Sequence, residues 1–197
     1  MKKIEEEKDR YEIRLSGSGG QGLVLAGVIL AEALGIYEGK NVTQTQSYGP
    51  EARGGASRSD IVVADGEIYY PKTTELDLLL CLTQESCDGY FRDLTDEGIL
   101  IVDSDRVRQL PTQRAFSLPF INTAKEKVGT PVVANVVSLA AVAAISEICS
   151  KDSIMKAVLG RAPRGTEEKN KTACELGYNL GLEAKRIWSE KKVAFTD

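Results

Sequence analysis

The seven residues Ser16-Gly-Ser-Gly-Gly-Gln-Gly22 constrain the fold more than any other part of this chain. They follow an alternating run, Tyr11 to Leu15, and precede an apolar run, Leu23 to Leu34. Strand, glycine turn and helix in that order leave bare backbone N–H groups at the positive end of a helix dipole. Such a turn suits an anion, usually a phosphate. We therefore take Gly17, Ser18, Gly19, Gly20, Gln21 and Gly22 as candidate phosphate- or coenzyme-binding residues. The bland alternative is that the glycines serve only a tight turn and close helix packing.

The spacing Gly17-x-Gly19-x-x-Gly22 is that of a dinucleotide fingerprint. The rest of that fingerprint is missing. An acid should close the second strand to bind a ribose hydroxyl, and Gln46 or Ser47 stands there. A free-standing NAD or FAD oxidoreductase is disfavoured on this ground.

Periodicity extends the pattern. Asn41 to Gln46 alternates, Ser59 to Ala64 reads as a strand, and Asp65-Gly66 suggests a turn into a return strand at Glu67 to Tyr70. Leu76 to Leu82 is almost continuously apolar, as in a parallel strand covered on both faces. Further strands are predicted at Gly98 to Val102 and, at an edge, Ala115 to Ile121. Helices are predicted at Gln84 to Leu94, Ala124 to Val128, Val132 to Cys149, Ser153 to Leu159 and Thr166 to Trp188. Gly35 and Gly39 are candidate stops for the first helix. Together these predict one three-layer, Rossmann-like α/β domain over residues 1–197, with its core at about 10–188. The central sheet should be mostly parallel, with one β-hairpin excursion.

Composition removes several function classes. A chain of 197 residues can bury about 70% of its unfolded surface without disulfide or metal staples. The net charge of -4, without a basic block, argues against nucleic-acid and anionic-membrane binding. No apolar run reaches the ~18 residues of a membrane span without a polar break, and Met1 to Arg10 is charged rather than signal-like. The cytoplasm is the expected location. There is no histidine, so serine–histidine, cysteine–histidine and histidine–metal chemistry cannot come from this chain. Cys81, Cys87, Cys149 and Cys174 lack Cys-x-x-Cys spacing and read as core thiols. The pair Asp103 and Asp105 offers either a magnesium ligand set or, more ordinarily, turn caps. Gly177 and Gly181 predict close packing of the last helix against a neighbour.

The second informative segment is Ser47-Tyr-Gly-Pro-Glu-Ala-Arg-Gly-Gly-Ala-Ser-Arg58. Glycines on both sides of Arg53 would present its guanidinium to a phosphate, a carboxylate or a partner chain. Arg58 adds a nearby charge of the same sign. A solvated loop with a surface ion pair is the alternative.

The glycine turn, the segment Gln44 to Ser57 and the dipeptide Tyr70-Pro71 together resemble the gamma subunit of the 2-oxoacid:ferredoxin (acceptor) oxidoreductases, with wording closest to the 2-oxoglutarate enzyme. The resemblance covers roughly residues 10–188. It implies a multi-subunit oxidoreductase that converts a 2-oxoacid to an acyl-CoA, with coenzyme A as co-substrate. Thiamine diphosphate, magnesium and iron–sulfur clusters would then sit on partner subunits: alpha, beta and, as a further option, a ferredoxin-like delta chain. No catalytic residue and no metal ligand is expected here, and the isolated chain should be inactive. The other open reading is a non-catalytic nucleotide-binding scaffold or regulatory module.

Overall fold

The computed structural model describes residues 10–48 and 56–194. Six strands form one sheet: β1 (Arg10–Ser18), β2 (Asn41–Tyr48), β3 (Ala56–Ala64), β4 (Leu76–Cys81), β5 (Leu94–Asp103) and β6 (Ala115–Leu118), in the order β2-β3-β1-β4-β5-β6. β1, β4, β5 and β6 run parallel, and β3 is antiparallel to both β1 and β2. The expected mostly parallel three-layer domain is what forms.

The excursion lies one element earlier than expected. Glu67 to Tyr70 forms no strand. Both edges of β3 are already filled by β1 and β2, so no ladder is open to a return strand. Instead the 65–75 segment crosses the sheet and is pinned by side chains. Arg10 donates to the carbonyls of Tyr70 and Lys72, both at 2.6 Å. The buried Glu12 carboxylate accepts from the backbone N–H groups of Thr74 and Glu75.

The two faces of the sheet are unequally covered. On one face Ile13, Leu15, Ile61, Leu78, Leu80 and Ile101 pack in the larger core. That core is built with α1 (Leu23–Glu32), α3 (Phe120–Thr123), α4 (Ala134–Ser146), α5 (Lys151–Arg161) and α6 (Glu167–Ala194). Among the described residues the other face carries the short α2 (Gln84–Tyr90) and the turn after it, over Leu79, Cys81, Leu100 and Val102. α1 runs through Gly35 as a wider turn, Ala33–Tyr37, and ends at Gly39, where φ is +72°. Leu118 ends β6 rather than Ile121, because the Asp103 carboxylate accepts the Ile121 N–H at 3.0 Å and starts α3 there. The helix expected over Gln84 to Leu94 stops at Tyr90, and Leu94 already belongs to β5.

All four cysteines are free and buried. Burial pushes the Cys149 and Cys174 thiols up to about 12.

α4 is buried along twelve of its thirteen residues, which explains its run of alanine and valine: small side chains let α6 and the other helices approach closely. At Gly177 an added Cβ would overlap the Val137 carbonyl, and at Gly181 it would lie 2.7 Å from the Ala141 oxygen. The glycine pair of α6 therefore meets this chain's own helix. Gly177→Ala should destabilise the fold by about 1–3 kcal/mol in urea titrations, through overpacking against a backbone that cannot move. Gly89→Ala, in α2 with open space around it, should instead gain about 0.4–1 kcal/mol.

Candidate functional site

The glycine turn sits at the carboxyl edge of the sheet, between β1 and α1. Its residues divide by role. Gly17 is a packing glycine, since a Cβ there would meet the Gln21 side chain, and Leu23 Cδ1 at 2.8 Å. Gln21 closes the turn on itself: its Oε1 accepts the Ser18 N–H at 2.7 Å, while its own N–H reaches the Ser18 carbonyl at 3.3 Å. Gly20 has φ +92° and nothing within 4 Å of the position a Cβ would take. Gly22 is the left-handed N-cap of α1, with φ +74°.

α1 starts with no side-chain cap and no acidic residue in its first turn. The partial positive charge of the helix end is thus left for something other than this chain's carboxylates. That arrangement fits an anionic group at Gly19, Gly20 and Gly22. Arg53 and its flanking glycines lie outside the described residues.

One residue that matters here carried no flag in the sequence. Asn135, in the first turn of α4, donates through Nδ2 to the Gly22 carbonyl at 3.2 Å. The same amide nitrogen stands 2.5 Å from where a Gly22 Cβ would be. The starts of two helices are thereby locked together at the turn. Only the interruption of an apolar run by one asparagine hinted at it.

The other candidates resolve into structural roles. Asp103 accepts the N–H groups of Asp105 at 2.9 Å and Arg106 at 3.2 Å, as well as Ile121. Burial raises its pKa against the pull of those donors. Asp105 holds Asn122 through both carboxylate oxygens. These carboxylates cap turns. Among the described residues no group of three His, Cys, Asp or Glu side chains is placed to hold a metal. Thr83 caps α2, and Gln84 fixes the backbone at Arg108 and Gln109.

On the thinly covered face lies a charged network. Arg14, 4% exposed, grips Asp60 at 2.7 and 3.1 Å, reaches Thr73 Oγ1 at 3.1 Å, and pairs with Asp93. The Tyr90 ring receives the guanidinium groups of Arg14 and Arg58, at 4.9 and 5.4 Å from its centroid. The sequence shows this only as charges alternating with apolar residues along β1.

A mostly parallel sheet with a glycine turn leading into an uncapped helix defines a Rossmann-like α/β class, in which the carboxyl edge of the sheet is the usual ligand side. The chain belongs to the pyruvate ferredoxin/flavodoxin oxidoreductase family, whose model matches residues 12–180. It is 47% identical to the 2-oxoglutarate synthase subunit KorC of Methanocaldococcus jannaschii, over 89% of this chain and 96% of that one. Among solved structures, the keto/oxoacid ferredoxin oxidoreductase gamma subunit of Geobacter sulfurreducens superposes with a TM-score of 0.82 at 50% identity, covering 89% of this chain and 98% of that one. A 2-oxoglutarate:ferredoxin oxidoreductase from Magnetococcus marinus shares the fold, with a TM-score of 0.78 at 18% identity over 89% of this chain and 31% of that one.

Two tests follow. Gly22→Ala should cost about 1–2 kcal/mol from left-handed strain alone, plus the clash with Asn135. In an Asn135→Ala background the clash disappears and the strain remains, so a double-mutant cycle should show Gly22→Ala costing less there. The second concerns Glu12. Burial alone would raise its pKa, but hydrogen bonds from Arg10, Thr74 and Glu75 outweigh that and hold it below the ordinary value of 4.5. A depressed folded pKa gives stability that is complete above about pH 4.5 and lost as pH falls through the folded value. Glu12→Gln should flatten that acid limb in urea midpoints measured from pH 6 to 3.

Proposed function

We propose that this chain is the gamma subunit of a multi-subunit 2-oxoglutarate:ferredoxin oxidoreductase. In that assembly it contributes to CoA-dependent oxidative decarboxylation of the 2-oxoacid to its acyl-CoA. The observation that carries the reading is the near end-to-end likeness to the KorC subunit. An activity confined to one part of a relative could not produce it. The gamma-type unit would occupy the core at about residues 10–188.

Within the complex we assign the glycine turn to a phosphate of coenzyme A. Gly19, Gly20 and Gly22 would offer backbone N–H groups at the uncapped start of α1, while Gln21 and Ser18 hold the turn's shape. Arg53 would add a charge-assisted contact, to coenzyme A or to a partner chain. Thiamine diphosphate, with its magnesium, supplies the carbanion chemistry of decarboxylation. We place it and the iron–sulfur clusters on alpha and beta subunits, with a ferredoxin-like delta subunit as a further member. No helix among the described residues is long and apolar enough to cross a membrane, and we place the complex in the cytoplasm.

The test is purification of the tagged chain from its host, followed by assay of the eluate for 2-oxoglutarate oxidation with CoA and an electron acceptor. The complex should be active. The lone chain should not be, even with added thiamine diphosphate and magnesium; activity from the lone chain would overturn the subunit assignment. Gly20→Val should raise the CoA concentration needed for half-maximal rate by tenfold or more. The cause differs from simple blocking: a Cβ there meets open space, but a β-branched residue cannot hold φ +92° without reshaping the turn. Arg53→Ala should either raise the CoA requirement of an intact complex or dissociate it on sizing.

A further inference from the structure

A second candidate anion site lies on the thinly covered face of the sheet, away from α1. Arg14, Thr45, Gln46, Ser47, Arg58, Asp60, Lys72 and Thr73 line a cavity of about 270 Å³. That is at the small end of ligand pockets and suits one charged group rather than a whole coenzyme. Register explains why these residues meet. Thr45 pairs with Asp60, Ser47 with Arg58, Asp60 with Arg14, and Arg58 with Ser16. The rows Thr45–Asp60–Arg14 and Ser47–Arg58–Ser16 therefore project to the same face, where Tyr90 at the end of α2 reaches Arg14 and Arg58. The pinned 65–75 segment brings Lys72 and Thr73 across to complete the wall.

The cations in this cavity are not equally satisfied. Arg14 is neutralised by Asp60 and Asp93. Arg58 is less well satisfied: it faces Asp60 at ion-pair distance only, and its buried Nε has no hydrogen-bond partner among the described residues. The nearest carboxylate oxygen, Asp60 Oδ2, stands 3.7 Å away and already accepts from Arg14 and Thr73. Lys72 is exposed and has no ion-pair partner among the described residues. A buried guanidinium N–H without an acceptor is costly, and such groups in native proteins mark either a bound ligand or trapped solvent. Two cations, with the hydroxyl groups of Thr45 and Ser47 beside them, are the donor set for a tetrahedral dianion.

We propose that this cavity binds a phosphate group, held by Arg58 and Lys72 and oriented by the Thr45 and Ser47 hydroxyls. It would be separate from any phosphate held at the glycine turn. The cavity stands whether or not the coenzyme reading does. The group can come from free phosphate or from the phosphomonoester of coenzyme A.

The experiment is calorimetric titration of the full chain with inorganic phosphate against a chloride control at matched ionic strength. Saturable binding should be weakened tenfold or more in Arg58→Gln, clearly weakened in Lys72→Gln, and retained in Gly20→Val. Lys72 is on the surface, so that variant keeps the test readable if Arg58→Gln fails to fold by circular dichroism. CoA and dephospho-CoA are then compared. Tighter binding of CoA in the wild type, lost in Lys72→Gln, assigns the group to the coenzyme; equal binding, with the phosphate result intact, assigns it to free phosphate. Either result upholds the site. No saturable phosphate binding, or binding abolished by Gly20→Val and untouched by the Arg58 and Lys72 variants, overturns it without bearing on subunit identity.

Discussion

One guanidinium organises the thin side of this molecule. Arg14 projects from the central strand β1 to bind Asp60 on β3, Thr73 on the crossing segment and Asp93 after α2, and it lies over Tyr90. Three separate parts of the chain converge on one charge. A buried pair of this kind adds little stability over a well-packed apolar replacement, but removing one partner leaves an uncompensated charge, at about 3–5 kcal/mol. Its contribution is therefore to specificity. It ties β3 to β1 at the Arg14–Asp60 pair, on the face that Arg58, Ser47 and Thr45 share.

The opposite face is organised by shape rather than charge. α4 is nearly featureless in chemistry, and α6 approaches it through Gly177 and Gly181 until backbone meets backbone. The consequence for function is geometric. A rigid helical layer fixes the start of α1, and Asn135 ties that start to α4 through the Gly22 carbonyl. The glycine turn is held by the packed layer instead of by its own flexibility. A turn with two glycines in left-handed conformation needs such support to keep one shape.

The sequence made the regular parts of this architecture legible. Continuous apolar runs such as Leu76 to Leu82 identify central strands because both faces are buried, and the strand–glycine–helix order fixes the turn. What it could not show depends on tertiary context. Glu67 to Tyr70 has strand-like residues after a turn-like dipeptide, yet whether β3 has a free edge is decided by β1 and β2, far away in sequence. Asn135 looks like an interruption in an apolar helix until Gly22 is seen beneath it. Arg58 looks like a companion of Arg53 until the sheet register sets it beside Arg14 and Asp60. A turn at Gly20 was legible, but its constraint lies in the backbone angle and not in the space around it. Arg53 lies outside the described residues.

The unequal covering of the sheet has a further meaning for how the molecule opens. On the α4 side, α1, α3, α4, α5 and α6 share one continuous core, so a helix that leaves exposes apolar surface on its neighbours. On the α2 side, one short helix and a crossing segment are held by a handful of polar contacts and little apolar surface. Local opening draws on regions of just this description. The half of the fold that keeps its shape and the half that can yield are thus divided by the plane of the sheet. The glycine turn sits on the boundary between them.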